Sequence, residues 1–138
     1  MLREFEQAII DRIKSEVPEF LTVKGYEGDF VKETYEEILG LMPCALVSYE
    51  ASDFERVNKF QPRIMRWTII IGVESFEKDE ARQRVYELLE KTKAALDSVR
   101  FNSFRMSPLA IKRERLIYRD AQIVVFGQVY ETNIVEET

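Results

Sequence analysis

Histidine is absent from this 138-residue sequence, and cysteine occurs only once. Proton transfer near neutral pH falls most naturally to histidine, and nucleophilic or metal chemistry usually needs histidine, cysteine or clustered carboxylates. Glycine is also scarce, with five residues, and the sequence contains no glycine-rich phosphate-binding motif. We therefore predict no catalytic site, no metal and no cofactor, and we expect the protein to act through its surfaces.

Long apolar runs are missing as well. The longest one, 67–73, is far shorter than the ~20 residues that a membrane-spanning helix needs. Charges interrupt the first 17 residues, which argues against a signal peptide. Cys44 has no partner for an intramolecular disulfide, which fits a reducing cytoplasm. Its apolar neighbours predict a buried small side chain instead of a reactive thiol.

The composition is typical of a folded domain. Hydrophobic residues make up 46% of the chain and charged residues 33%, which fits neither a disordered chain nor a membrane protein. A chain of this length suits a single core of ordinary size. We therefore expect residues 1–138 to form one domain.

Apolar periodicity predicts an α+β fold with eight elements in the order α-β-α-β-β-α-β-β. Steps of three and four residues indicate helices, and strict alternation indicates strands. The expected helices are 2–16, 30–39 and 79–99, and the expected strands are 20–24, 44–54, 63–75, 109–118 and 121–132. Within 63–75, Trp67 and Ile69 should face one side and Arg66 and Thr68 the other. This order predicts a mostly antiparallel sheet of about four to five strands with helices packed on one face.

Charge is distributed unevenly along the chain. Residues 1–54 carry 5 basic and 12 acidic side chains, whereas residues 55–138 carry 15 basic and 13 acidic ones. The basic side chains form two groups, Arg56, Lys59, Arg63 and Arg66, then Arg100, Arg105, Lys112, Arg113, Arg115 and Arg119, opposed by the acidic group Glu27, Asp29, Glu33, Glu36 and Glu37. Because side chains alternate along a strand, Arg113 and Arg115 should share one face.

Three interpretations of this charge pattern stay open. A mixed-sign surface exposed to solvent explains it without any partner. Nucleic-acid binding is disfavoured by the net charge of −5 and by the lack of a recognisable nucleic-acid-binding motif. The third interpretation is self-association, in which an acidic face of one copy meets a basic face of the next. Such a head-to-tail contact closes into a ring if the rotation between copies permits it.

Five segments give the chain a resemblance to a known family. In order they are LREFEQAIIDRIKSEV, PCALVSYEASDFE, QPRIMRWTIIIGVES, ARQRVYELLEKTKAALDSVRF and SPLAIKRERLIYRDAQIVVFGQVYETN. In pattern and layout, over nearly the whole chain, they resemble the tail terminator proteins of Mu-like contractile-tailed phages. The segment VYELLEKTKAAL is the most similar to the family, and residues 23–41 are the least similar.

The resemblance implies a structural virion protein without enzymatic activity. Proteins of that family are small α+β domains that assemble into a ring, typically a hexamer, on the head-proximal end of the tail tube. The ring stops tube polymerisation and presents a surface to the head–neck connector. The implied partners are other copies of the chain, the tube protein and the connector protein, with neither a membrane nor a specific nucleic acid. The implied location is the virion tail, and the host cytoplasm during assembly, with DNA passing through the ring.

Charge polarity suggests which side chains meet between neighbouring copies of such a ring. We expect the basic set Arg63, Arg66, Arg113 and Arg115 to contact the acidic set Glu33, Glu36 and Glu37. The acidic end of the chain, 131–138, is a candidate either for lining the lumen, where it would keep DNA from adhering, or for a partner-binding tail.

Two alternatives to a terminator stay open. The first is another neck or tail-completion protein, which differs from a terminator only in the partner that it binds. The second is a small cytosolic enzyme that uses a pair of carboxylates brought together by the fold. A deep pocket with convergent acids of perturbed pKa would indicate the enzyme.

Overall fold

The computed structural model of the chain describes residues 1–27, 38–55, 60–74 and 78–137. These residues form the helices α1 (Leu2–Glu16) and α2 (Lys78–Leu96), a short 3₁₀ helix (Leu39–Leu41), and the strands β1 (Thr22–Gly25), β2 (Cys44–Phe54), β3 (Phe60–Glu74), β4 (Ala110–Arg119) and β5 (Ile123–Glu137). The predicted α+β class is confirmed. The helix predicted over 30–39 lies almost entirely outside the described residues.

The five strands form one sheet in the order β1-β2-β3-β5-β4. β1 pairs with β2 in parallel, and the other three neighbouring pairs are antiparallel, as the sequence predicts. The longest ladder joins β3 to β5 and runs without interruption from Phe60 opposite Glu137 to Glu74 opposite Ile123. This central pair fixes the positions of the shorter strands on either side.

Both helices pack on one face of the sheet, here called the helix face. Phe5 of α1 is fully buried, and its ring stacks on Trp67 of β3 with 5.6 Å between centroids. Ile69 and Ile71 continue the same row along β3, and Leu88 of α2 joins this core. Trp67 and Ile69 therefore face the helices, as their alternation predicts.

The opposite face of the sheet, here called the outer face, has two halves. At one end, Ile38 and Met42 pack against Leu46, Ile70 and Val125 in a second apolar cluster. Toward the other end of the strands the outer face is polar and partly exposed, with Arg66 near its middle. The polar half is therefore a surface that a partner can reach.

Three element boundaries in the described residues differ from those predicted by three residues or more. α2 ends at Leu96, three residues early, because Ser98 takes a φ of 69° and its N–H donates to the carbonyl of Leu109. β3 begins at Phe60 and not at residue 63, and β5 continues to Glu137 and not to 132. These last two extensions pair with each other, so each stabilises the other.

Candidate assembly surfaces

Two buried polar side chains of the helix face, Gln128 and Tyr130, share a hydrogen-bond network with the exposed Glu114. Gln128 of β5 donates from Nε2 to the carbonyl of Leu89 at 3.0 Å and to Oε1 of Glu114 at 2.8 Å. Its Oε1 accepts a hydrogen bond from the hydroxyl of Tyr130 at 2.8 Å. Burial raises the pKa of Tyr130, so its hydroxyl stays protonated. Because each of these side chains is bonded to another protein group, the network serves to join α2, β4 and β5.

Cys44 lies at the start of β2 and is fully buried, as predicted. Burial raises the pKa of its thiol to about 11, so the nucleophilic thiolate is scarce at neutral pH. Within the described ranges, no group of three or more His, Cys, Asp or Glu residues is placed to hold a metal ion. No described helix is both long enough and apolar enough to cross a bilayer.

Arg66 lies on the outer face and already has partners within its own chain. Its Nη1 donates to Oδ2 of Asp53 on β2 at 2.8 Å, and its Nε donates to Oε2 of Glu131 on β5 at 3.1 Å. These two carboxylates raise the pKa of the guanidinium. The side chain is still 33% exposed, so a partner can contact it, but its charge is largely balanced.

Arg63 lies on the other face of the sheet. Arg63 pairs with Phe54 in the β2–β3 ladder, and its guanidinium carbon lies 5.2 Å from the centre of the Phe54 ring. Its Nη2 donates a hydrogen bond to Sδ of Met1. The residue is only 8% exposed. The structure therefore does not bring Arg63 together with Arg66 on one surface.

Arg113 and Arg115 share the outer face, as their alternation predicts. They lie opposite Val129 and Gly127 of β5, and both are exposed. Neither forms an ion pair with any residue in the described parts of the chain. They are the two predicted interface arginines whose charge is most available to a partner. The acidic residues predicted to meet them, Glu33, Glu36 and Glu37, lie outside the described residues.

A surface that the sequence pattern did not reveal runs along β2. β1 covers only the first four residues of β2, from Cys44 to Val47. The remainder, 48–54, has no strand partner on that side among the described residues, and is here called the β2 open edge. A groove of about 500 Å³ lies beside its first residues, lined by Tyr49, Trp67 and side chains of α1. The indole N–H of Trp67 has no acceptor within the described structure.

A second groove, of about 530 Å³, lies between α2 and the β4–β5 turn. Tyr86 is half exposed there and packs edge-on against Phe126. Its charged residues sit mostly in local contacts: Arg82 binds Asp79, and Asp120 accepts hydrogen bonds from two backbone N–H groups of the turn. These bonds stabilise the helix start and the turn.

Comparison with known proteins agrees with this architecture. A chain from a solved structure titled "Virion of native gene transfer agent (GTA) particle" superposes with a TM-score of 0.59 over 95% of this chain and 94% of that one. The two sequences are 9% identical, so the likeness concerns the fold. A search of curated proteins gave no match. The family model for phage tail terminator proteins matches residues 5–138, and the chain therefore belongs to the phage tail terminator family.

Proposed function

We propose that this chain, folded as one domain, forms a closed ring that caps the head-proximal end of a tail tube. The family match over residues 5–138 carries the proposal. A ring of six copies is the expected size, following the resemblance to terminators of Mu-like contractile-tailed phages. The proposed partners are other copies of the chain, the tube protein and a head–neck connector protein.

The mechanism is steric and energetic, with no chemical step. A terminator must bind the last ring of the tube at least as well as another tube subunit would, and it must expose a top face that no tube subunit can bind. Contacts of ordinary size, roughly 800 Å² per partner, suffice when they repeat around a ring, because simultaneous contacts multiply modest affinities. The ring works in the virion tail after assembling in the host cytoplasm.

The polar half of the outer face supports a charge-dependent contact between copies. Arg113 and Arg115 are exposed on the outer face without an ion pair inside the described chain. We propose them as the main basic contribution to the contact, with Arg66 beside them and Arg63 contributing from the other face. Glu33, Glu36 and Glu37 are the acidic contribution proposed from the sequence.

Polymerisation of the tube tests this function. Tube protein from the same genome is polymerised alone and with increasing amounts of this chain, and tube lengths are measured by electron microscopy. A terminator shortens the tubes and appears at one end only. An unchanged length distribution, together with binding to the connector protein, would instead indicate another neck or tail-completion protein.

A further inference from the structure

The two edges of the sheet have complementary surfaces. We propose that the β2 open edge of one copy pairs with β4 of the next copy, so that the sheet continues from subunit to subunit. This inference rests on the proposed ring, and it identifies the strands that meet between neighbours. The partner of each edge is therefore a second copy of this chain.

Unpaired backbone groups make both edges able to accept a strand. β4 pairs with β5 on one side and with no strand on the other among the described residues. The β2 open edge has no strand partner on its outer side in the described ranges, because β1 ends beside Val47. Exposed rows of N–H and C=O groups are templates for strand addition from another chain. The β2 open edge and β4 lie on opposite sides of the central β3–β5 pair, as a head-to-tail contact requires.

Strand direction permits a regular ladder between the two edges. β2, β3, β5 and β4 alternate in direction, so β4 runs opposite to β2. A rotation axis roughly parallel to the strands keeps these directions the same in every copy. β4 of one copy would then meet β2 of its neighbour antiparallel, as in the other main ladders of the sheet.

Charges on the outer face are of opposite sign at the two edges. Glu50 accepts a hydrogen bond from Thr68, and Asp53 accepts one from Arg66, which places both carboxylates on the outer face. The β2 open edge carries these two acids and no basic residue. β4 presents Arg113 and Arg115 on the same face. Opposite charges on facing strands stabilise the pairing and fix its register.

On the helix face, both edges carry exposed apolar side chains. Tyr49 is 38% exposed and Phe54 58% exposed, and both point to the helix face, opposite Trp67 and Arg63. On β4, Leu116 is 43% exposed and lies opposite Phe126, also on the helix face. In a continuous sheet these apolar side chains would cover one another while the charges pair on the other face. The arrangement on the two faces is therefore consistent with a single contact.

Irregularities in both strands limit the length of the contact. β4 shifts register between Ile111 and Arg113 and again between Leu116 and Tyr118, which leaves 113–116 as its regular stretch. β2 shifts register between Tyr49 and Ala51. Bulges of this kind blunt sheet edges against open-ended association. The expected ladder is thus short, and it is stable only where the closed ring repeats it.

Disulfide trapping between copies tests the strand pairing. In the double variants Glu50→Cys with Arg113→Cys, and Glu50→Cys with Arg115→Cys, each copy carries one new thiol per edge. Under mild oxidation of the assembled protein, at least one double variant should give a ladder of covalent multimers on a non-reducing gel. Each single variant should give at most dimers, because a head-to-tail contact brings two different positions together. Cys44 is buried and can stay in place.

A matched control keeps the thiol on β4 and moves the thiol of the β2 open edge to α2. The variant Glu90→Cys with Arg115→Cys carries two exposed thiols and should give no ladder. Ser52→Cys with Leu116→Cys tests the same contact from the helix face, in case the Glu50 variants loosen the ring. Light scattering on the reduced proteins reports their assembly state alongside the gels.

The outcomes separate this inference from the proposed function. A ladder from an edge pair, absent from the control, supports the strand pairing. A ring-sized mass without a ladder from any edge pair overturns the pairing and leaves the ring. A chain that stays monomeric in solution, and does not bind to assembled tubes, overturns both.

Discussion

Arg66 of β3 and Glu131 of β5 form an ion pair on the outer face, with 3.1 Å between Nε and Oε2. Asp53 binds the same guanidinium from β2 at 2.8 Å, so a single side chain joins three strands. Arg113 and Arg115 lie on the same face without an ion pair in the described structure. Of the four predicted interface arginines, Arg66 therefore serves the fold, whereas Arg113 and Arg115 are available to a partner.

The first prediction compares charge reversals at Arg66 and Arg115. Arg66→Glu should lower the thermal midpoint by several degrees, because it places a third carboxylate beside Asp53 and Glu131. Arg115→Glu should change the free energy of unfolding by about 0.5 kcal/mol or less, as is usual for an exposed side chain. Thermal unfolding followed by circular dichroism checks both. Equal effects of the two reversals would contradict the assigned role of Arg66.

The second prediction concerns the aromatic cluster around Phe5. This ring stacks on Trp67 and meets the edges of Phe101 and Phe104, with centroids 5.4 Å and 5.1 Å away. Phe5→Ala should lower the free energy of unfolding by about 3–5 kcal/mol, because it removes buried apolar surface and leaves a cavity. Phe54→Ala is the control, since that ring is 58% exposed, and should cost about 1 kcal/mol or less. Comparable losses in denaturant titrations of the two variants would exclude this core.

The third prediction follows from the burial of Cys44. Its thiol pKa rises from 9.0 to about 11 in the folded chain, so the folded state holds its proton more tightly than the unfolded state does. The stability that the protonated Cys44 thiol contributes is therefore fully present below pH 9, and this contribution is lost as the pH rises toward 11. Between pH 9 and pH 10 the free energy of unfolding should fall by about 1 kcal/mol because of this thiol. Cys44→Ala should flatten this part of the stability curve, and an equally steep loss in that variant would contradict the assignment.

The fourth prediction tests which acidic residues meet the β4 arginines. Reversal of both Arg113 and Arg115 to Glu should weaken assembly, measured as the oligomer fraction in size-exclusion chromatography. Rescue by Glu36→Lys with Glu37→Lys would support the contact predicted from the sequence, whereas rescue by Glu50→Lys would support pairing with β2. Arg84→Glu on the exposed side of α2 is the control and should leave assembly unchanged. Normal assembly of the double reversal would rule out both contacts.

Local patterns sufficed for much of the fold. α1 and β2 occupy the residues predicted for them, because a single periodicity runs through each and Pro18 and Pro43 lie at their boundaries. The end of β5 was missed because only two apolar residues, Ile134 and Val135, stand among the polar and acidic residues of 131–138. Its strand conformation depends on pairing with the start of β3, a contact between distant parts of the chain.

The candidate surfaces could be predicted only in part. Alternation placed Arg113 and Arg115 on one face correctly, and the same rule separates Arg63 from Arg66, which are an odd number of residues apart. The β2 open edge required the register as well, because only the pairing of β1 with Cys44 to Val47 shows where that edge begins. The unequal lengths of the first two predicted strands were its only signal in the sequence.

The central claim is that this chain closes into a ring that ends a tail tube. The most direct measurement is the absolute mass by light scattering coupled to size exclusion, at low and high salt, without and with assembled tube protein. The account predicts a single closed species near six subunits, and high salt should loosen it because charged groups contribute to the contact. A monomer at every concentration, with no transfer to the tube fraction, would contradict the account.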